Sequence, residues 1–321
     1  MPGKALLALC PDRRSVLEID SQCRQRRKNR ATASHGAALT VIPTEHSMAR
    51  FWCLALLVIV LTGIAARPTA ATSLDDLYQS QTIVTGQGEV NREAGFKSCL
   101  DAVLLRVSGD QRLLAKPEMA ALSDKPGGFV AGFRYRDRME GIPIHDEQGT
   151  HDRPHDLYCR YKPAAIDGVL ALLGDKPWLA ERPRLAVFLS TRQGARHFAL
   201  DADNERGELM RESFGNAATP LAMQVGFPKA ASLSRAGLDD ITMRDTALTS
   251  LDAAAKQAGA DKALAGSIVW SDRELGWIAD WRLEMAGKTY TWQVRGVSFD
   301  EAFRVAMRGA AQILSGNGQP R

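Results

Sequence analysis

The stretch that decides the fold is Trp277-Ile-Ala-Asp-Trp-Arg-Leu-Glu-Met285, followed by Ala286-Gly287 and Lys288-Thr-Tyr-Thr-Trp-Gln-Val-Arg295. Apolar side chains alternate with polar ones on both sides of the Ala-Gly pair, as in strands with one buried face. A two-residue connection that contains glycine is typical of a β-hairpin. The sequence therefore predicts a hairpin that places Trp281 and Trp292 on sheet faces.

Helical and strand patterns continue on both sides of this hairpin. The predicted strands are 77–84, 129–138, 157–162, 185–189, 220–225 and 262–270, and the predicted helices are 91–107, 111–122, 164–173, 205–214, 242–258 and 299–314. Because strands and helices interleave and one pair of strands forms a hairpin, we expect an α+β or α/β fold with mixed sheets and packed helices.

A short proline-containing stretch divides the chain. Lys176-Pro177 and Arg182-Pro183 bracket Trp178 in a segment typical of a linker. We predict an N-terminal α/β domain at 72–176, a linker at 177–183, a C-terminal α/β domain at 184–314 and a disordered tail at 315–321. The length of 321 residues leaves room for two such domains.

Residues 48–71 have the three-part layout of a secretory signal peptide. Arg50 is the positive end, residues 51–66 are apolar, and Thr69-Ala70-Ala71 offers a cleavage site with small residues. The apolar run of 16 residues is short for a spanning helix, which needs about 20. We therefore predict export to the periplasm after cleavage; an uncleaved anchor in the inner membrane is the alternative.

Residues 1–47 fit no targeting pattern, and we interpret them as a doubtful unstructured leader from a reading frame that extends upstream of a true start at Met48. The net charge supports a division here. The chain carries +4 in total, of which residues 1–47 contribute 8 − 4 = +4 and residues 48–71 contribute +2, so residues 72–321 carry 31 − 33 = −2. A slightly acidic exported portion argues against a nucleic-acid partner, and membrane contact is expected only transiently, through the signal peptide.

Two cysteines, Cys99 and Cys159, lie within the predicted exported portion. Cys99 lies beside the apolar stripe of a predicted helix, and Cys159 shares a predicted strand face with Leu157 and Tyr161. In an oxidising compartment such a pair can form a disulfide. Two separate buried thiols are the alternative.

Several short motifs, taken in order, resemble an exported bacterial family. The motifs are Tyr78-Gln-Ser-Gln-Thr-Ile-Val-Thr85 with Ala94, Val103-Leu-Leu-Arg-Val-Ser-Gly-Asp110, Tyr135-Arg136, Pro177-Trp178 before Arg182-Pro183, and a closing set of Ala260-Asp261, Gly266, Trp281, Gly287 and Trp292. Their order resembles the domain-of-unknown-function family DUF 2066 over about 75–321. The resemblance implies an exported envelope protein without an established activity. The chain departs from the family pattern at 215–226, where the expected Arg-Arg-Gly is missing.

Histidines and aspartates concentrate between residues 145 and 156. His145, His151 and His155 alternate with aspartates, and both side chains are good ligands for zinc and similar ions. This spacing suggests a metal site and, with it, an alternative function as a metal-dependent envelope enzyme that uses the 145–156 loop. A solvated insertion explains the same residues, because Pro154 disfavours the helix that would align His151 with His155.

Two other sets of side chains are candidates for binding. Arg134, Arg136 and Arg138 alternate along a predicted strand, so their guanidinium groups form a row that suits phosphate, an anionic glycan or an acidic partner. Trp281 and Trp292 offer aromatic platforms for a sugar or a protein. The alternatives are a solvated sheet face for the arginines and core packing for the tryptophans.

The sequence lacks the usual catalytic motifs, namely a Gly-x-Ser-x-Gly elbow, a phosphate-binding glycine loop with Lys-Ser/Thr, and a His-Glu-x-x-His helix. We predict no catalytic residues and no cofactor, and the sequence favours a non-catalytic protein. The resulting hypothesis is an exported binding or accessory module of the cell envelope whose partner is an envelope protein or glycan.

Overall fold

The computed structural model describes residues 74–142 and 152–320. These residues belong to one compact unit, Thr69–Arg321, whose architecture is α+β as predicted. The leader, the signal segment, His145 and His151 lie outside the described residues. Within the described part, no helix is both long and apolar enough to cross a membrane.

The N-terminal half is a three-stranded antiparallel sheet with helices on one side. Its elements are α1 (Leu74–Leu77), β1 (Gln79–Thr85), α2 (Glu89–Ser108), a 3₁₀ turn (Gln111–Ala115), α3 (Glu118–Ser123), a second 3₁₀ turn (Pro126–Phe129), β2 (Val130–Asp137), β3 (Pro154–Tyr161) and α4 (Pro163–Leu172). The strand order is β1-β3-β2, so β3 is the central strand. Both neighbours pair with it antiparallel, with Ser80 opposite Cys159 and Arg134 opposite Tyr158.

The long helix α2 packs on this sheet through apolar side chains at helical spacing. Phe96, Leu100, Val103 and Val107 are all buried, as the sequence pattern predicts. Cys99 lies on the same side of the helix, and its sulfur is at disulfide distance, 2.34 Å, from that of Cys159 on β3. This distance supports the predicted disulfide between the two cysteines.

The C-terminal half contains a six-stranded mixed sheet. Its elements are β4 (Leu185–Gln193), β5 (Arg196–Ala199), a 3₁₀ turn (Glu205–Gly207), α5 (Glu208–Ala218), a further 3₁₀ turn (Thr219–Leu221), β6 (Val225–Gly226), α6 (Ala230–Arg235), α7 (Thr242–Asp245), α8 (Leu248–Gln257), β7 (Lys262–Ser271), β8 (Gly276–Met285), β9 (Lys288–Val297) and α9 (Phe299–Leu314). The order is β5-β4-β7-β8-β9, and β6 also pairs with β4.

Helices cover this sheet on both faces. One face carries Trp281, Leu264 and other apolar residues against α5 and α9, and the opposite face packs Ala186 and Phe188 against α6, α7 and α8. Strands β4 and β7 are parallel, with Leu185 opposite Lys262, and the predicted hairpin of β8 and β9 is antiparallel. The turn of this hairpin places Ala286 and Gly287 at φ 51 and φ 75, the left-handed region that two-residue hairpin turns use.

Several predicted elements differ from the structure. The predicted strand at 220–225 is wrong, because the 3₁₀ turn at Thr219–Leu221 and a left-handed Ala222 leave only Val225 and Gly226 to pair with β4. The predicted helix at 242–258 divides into α7 and α8 because Thr246 has an extended backbone. The predicted helix at 111–122 breaks before Pro117, which lacks the N–H that a continuous helix requires.

Hydrogen bonds and the buried ring of Trp178 join the two halves. Arg106 on α2 donates to Pro220 O at 2.7 Å and to Gln79 O at 2.6 Å. Trp178, from the predicted linker, donates its backbone N–H to Val107 O and buries its ring in the core of the C-terminal half. Arg182 lies over the Trp178 ring, 4.3 Å from its centroid.

The residues after α9 lie against both halves. Arg112 donates to Asn317 O at 2.8 Å, and the Asn317 amide donates to Ser108 O at 3.1 Å. Gln319 donates to Thr291 O on the outer strand β9, at 2.6 Å. The segment predicted as a disordered tail therefore makes specific contacts up to Gln319.

Candidate functional site: the open face of the three-stranded sheet

The N-terminal sheet has one covered face and one open face. Along β1 the residues alternate between exposed and buried positions, with Ser80 and Val84 facing α2 and Gln81 and Ile83 facing solvent. Ile83 is 55% exposed, so this side of β1 faces solvent. Because successive side chains of a strand point to opposite sides, the register then defines every residue of the open face.

The arginines predicted on β2 lie on this open face. Arg134 pairs with Tyr158 and Arg136 pairs with Asp156 across β3. The Arg134 guanidinium lies 3.7 Å from the centroid of the Tyr158 ring, which is a cation–π contact. Arg138 follows the strand on the same side, with its Nε 3.7 Å from the Asp156 carboxylate.

The other predicted side of β2 packs inward only in part. Phe133 contacts Phe96 of α2 edge to face, with ring centroids 5.1 Å apart, and Tyr135 contacts His155 in the same way at 5.9 Å. Phe133 is nevertheless 48% exposed because β2 is an edge strand of the sheet. The two faces of β2 are therefore distinct, as the alternation predicts.

Arg160 and Tyr158 belong to the same face and were missed by sequence reasoning. Both lie on β3 at alternate positions around the inward Cys159, so the period of two was a signal that could have found them. Arg160 pairs with Gly132, where an added Cβ would lie only 3.3 Å from the Arg160 Nη2. The glycine thus allows this guanidinium to lie close along the sheet.

A cavity of about 330 Å³ is lined in part by Arg134 and Arg160. Gln79, Gly132 and Tyr158 contribute to its walls. Among the described residues at the strand positions of the open face and Arg138 beside them, four arginines stand against Asp156, a local charge of 4 − 1 = +3. Planar guanidinium groups bind carboxylate and phosphate through paired hydrogen bonds, so this arrangement is suited to an anion.

Trp281 and Trp292, the other predicted binding residues, lie in the core. Trp281 is fully buried and Trp292 is 5% exposed, with its Nε1 donating to Val305 O. Each ring rests on a glycine, Trp281 on Gly266 and Trp292 on Gly309, at distances where a Cβ would overlap the indole. Both tryptophans therefore pack in the core, which is the alternative that the sequence left open, and their rings are not exposed to a ligand.

Of the three predicted metal-binding histidines, only His155 is described. It lies on β3, 9% exposed, with its Nδ1 2.7 Å from Arg153 O. Among the described residues no group of three or more His, Cys, Asp or Glu side chains is arranged to hold a metal ion. The predicted site also needs His145 and His151, which lie outside the described residues, so it stays a prediction.

Two buried ionisable groups near the sheet have structural roles. The Tyr78 hydroxyl donates to Asp167 at 2.8 Å and ties the start of β1 to α4, and burial followed by this carboxylate raises the pKa of Tyr78. Burial likewise raises the pKa of Tyr161 on the inward face of β3. Neither group points to the open face, so the chemistry available there is binding by guanidinium, amide and aromatic groups.

Comparison with known proteins identifies one related family. Residues 71–179, which include the whole open face, match a domain of unknown function, DUF8605. An uncharacterised domain is thus supported, and the DUF 2066 identity is not confirmed. No curated protein and no solved structure matches the chain. The candidate site therefore lies in a segment that is similar to an uncharacterised domain, DUF8605.

Proposed function

We propose that this chain is an exported, non-catalytic binding module of the cell envelope that recognises an anionic protein or glycan with the open face of its three-stranded sheet. The observation that carries the proposal is the set of four arginines on one solvent-facing sheet surface, opposed there by one aspartate among the residues that the structure describes. A sheet face whose only duty was solubility would be expected to mix charges of both signs.

The state of the individual arginines supports binding. Arg134 is held by the Tyr158 ring, so part of its side-chain freedom is already lost before a ligand arrives. Arg136 has no hydrogen bond or ion pair within the described residues, and its guanidinium is exposed. An anion can therefore bind to Arg134 and Arg136 without first breaking a salt bridge among the described residues.

Export is supported by two independent features. The sequence at 48–71 has the layout of a signal peptide. The Cys99 and Cys159 sulfurs are at bonding distance, and disulfides persist in oxidising compartments such as the periplasm. Amino-terminal sequencing of the protein from a cell-envelope fraction tests this part. We expect the first residue at or close to Thr72, and an intact sequence from Met48 or earlier would contradict cleavage.

Binding is tested with two polyanions, immobilised heparin as an anionic glycan and immobilised polyglutamate as an acidic polypeptide. The triple variant Arg134→Gln, Arg136→Gln, Arg160→Gln should elute from at least one of them at clearly lower NaCl concentration than the parent protein, because three phosphate-, sulfate- or carboxylate-binding charges are gone. The column that responds identifies the class of partner.

A matched control removes three charges elsewhere. Lys229→Gln, Arg244→Gln and Lys256→Gln change exposed residues of the C-terminal half and alter the net charge equally. If both triple variants lose retention to the same degree, retention follows the bulk charge and the proposed surface is wrong. Circular dichroism of both variants confirms that the fold is retained.

A further inference from the structure

A second cavity lies in the C-terminal half, at the edge where the parallel strands β4 and β7 end. Its volume is about 580 Å³, within the range of small-molecule sites. The short strand β5 turns back beside β4 at this edge, and the 11-residue helix α5 begins above it. In open α/β sheets, ligands commonly bind beyond the carboxyl ends of the parallel strands.

The floor of this cavity is apolar and aromatic. Phe198 of β5 and Met210 of α5 are half-buried, and Trp277 of β8 is 7% exposed. The hydroxyl of the buried Thr191 lies 3.9 Å from the Met210 sulfur, which fixes the thioether over the sheet. Two aromatic rings beside a polarisable sulfur form a surface on which a flat ring can stack.

The rim of the cavity is cationic. Arg206 lies over the Phe198 ring, 5.7 Å from its centroid, and Arg196 is exposed on the same side of β5. Within the described residues, neither guanidinium has a carboxylate within 4 Å, although Glu205 and Glu208 lie nearby in sequence. The Asp240 carboxylate pairs with His197, whose side chain alternates to the other face of the strand.

We propose that this cavity binds a small ligand that combines a flat apolar ring with one anionic group, a carboxylate or a phosphate. The ring lies against Phe198, Met210 and Trp277 in the wall, and the anion lies between Arg196 and Arg206, which line the same cavity. This site is separate from the open sheet face and does not depend on the function proposed for it.

Isothermal titration calorimetry of the full chain tests the inference with four probes. Phenyl phosphate and benzoate carry both a ring and an anion, inorganic phosphate carries the anion alone, and benzyl alcohol carries the ring alone. We expect at least one of the two ring-bearing acids to bind more tightly than either single-feature probe. The better of the two distinguishes a phosphate from a carboxylate ligand.

Variants assign the binding to this cavity. Arg196→Gln and Arg206→Gln should each weaken the ring-bearing acid by about tenfold, the loss typical of a hydrogen bond to a charged group. Phe198→Leu should weaken the ring-bearing acid and leave inorganic phosphate unchanged. Arg244→Gln, on the opposite side of the C-terminal sheet, is the control and should bind like the parent protein.

Three results overturn the inference: no binding of either ring-bearing acid at millimolar concentration, equally tight binding of inorganic phosphate, or unchanged affinity in both arginine variants. The triple variant of the open sheet face separates the two proposals. It should retain affinity for the ring-bearing acid even when its retention on a polyanion column is lost.

Discussion

At the scale of single residues, glycines decide where the largest side chains lie. Gly266 on β7 faces Trp281 on β8, and Gly309 on α9 faces Trp292 on β9. In both pairs an indole fills the space that a side chain would need. A glycine inside a strand often marks such a close approach, as Gly266 does for Trp281, and the helix glycine Gly309 has the same effect for Trp292.

Replacing Gly266 with alanine should therefore destabilise the fold. The new Cβ would lie 2.2 Å from the Trp281 ring, which has no free space to move because it is fully buried. We expect the free energy of unfolding in urea to fall by about 1–3 kcal/mol, the usual cost of overpacking a core.

The control for this substitution is Gly215→Ala on α5. No heavy atom lies within 4 Å of the added Cβ there, and the residue is helical. We expect this variant to gain about 0.4–1 kcal/mol, since alanine restricts the unfolded chain and favours a helix. Equal losses in both variants would show that the contact with Trp281 is not the cause.

Some of these residues were predictable from sequence and others were not. The alternation along 129–138 placed Arg134 and Arg136 on one face, because β2 is a regular strand over that range. Arg160 follows the same period as the inward Cys159 and was predictable from it, whereas its approach to Gly132 was not. The alternating pattern alone could not decide between a buried and an exposed Trp281, because alternation gives the face of a strand but not what covers that face.

At the scale of elements, Cys99 and Cys159 connect the centre of α2 to the central strand of the sheet. Both sulfurs are buried, and 60 residues separate the two cysteines in the sequence. The pair therefore crosses the interface that holds the N-terminal half together. Its main effect is expected in the unfolded chain, where a closed loop of this length lowers the conformational entropy.

We expect the disulfide to stabilise the protein by about 4 kcal/mol. Urea denaturation with and without dithiothreitol measures the difference. The double variant Cys99→Ala, Cys159→Ala should have a lower midpoint and should not respond to the reductant. Mass spectrometry of a digest of the unreduced protein must show the linked peptides; free thiols at both positions would contradict the pairing.

Helices and strands were predicted correctly where one periodic pattern of apolar residues continued over many positions. The helix Phe299–Leu314 agrees with the prediction because its apolar spacing continues from one end to the other. The predicted strand at 220–225 failed because Pro220 and the left-handed Ala222 force a turn that its apolar composition does not reveal. Strand β5 and helix α6 are only 4 and 6 residues long, too short to carry a period.

At the scale of the whole molecule, two arginines join the halves. The Arg106 guanidinium donates to backbone carbonyls at the joint, including Asp76 O at 3.0 Å, and the charge of the Asp76 carboxyl also acts on it. Arg182 donates to Arg106 O at 2.7 Å, and burial together with the neighbouring charge of Arg106 lowers the pKa of Arg182 to about 10. Both guanidinium groups are half-buried, and both donate to backbone carbonyls at the joint.

Replacing Arg106 with methionine should weaken the joint. The substitution keeps most of the apolar stem but leaves carbonyls of both halves without their donor, so we expect a loss of about 2–4 kcal/mol. In calorimetry the variant should also unfold in two transitions, one for each predicted domain. Arg295→Met, an exposed residue with a 3.6 Å surface ion pair, should change the stability by less than about 1 kcal/mol. If Arg106→Met unfolds in a single transition at the midpoint of the parent protein, the role of Arg106 in joining the halves is wrong.

The contact of Gln319 with β9 has a consequence for the behaviour of the protein in concentrated solution. β9 is a 10-residue strand, and among the described residues its one partner strand is β8, so within that part its outer edge has no further strand. Long open edges promote pairing between copies and, from there, aggregation. Because Gln319 donates to Thr291 O, it engages one carbonyl beside this strand, and we expect a variant without residues 315–320 to self-associate more at high concentration.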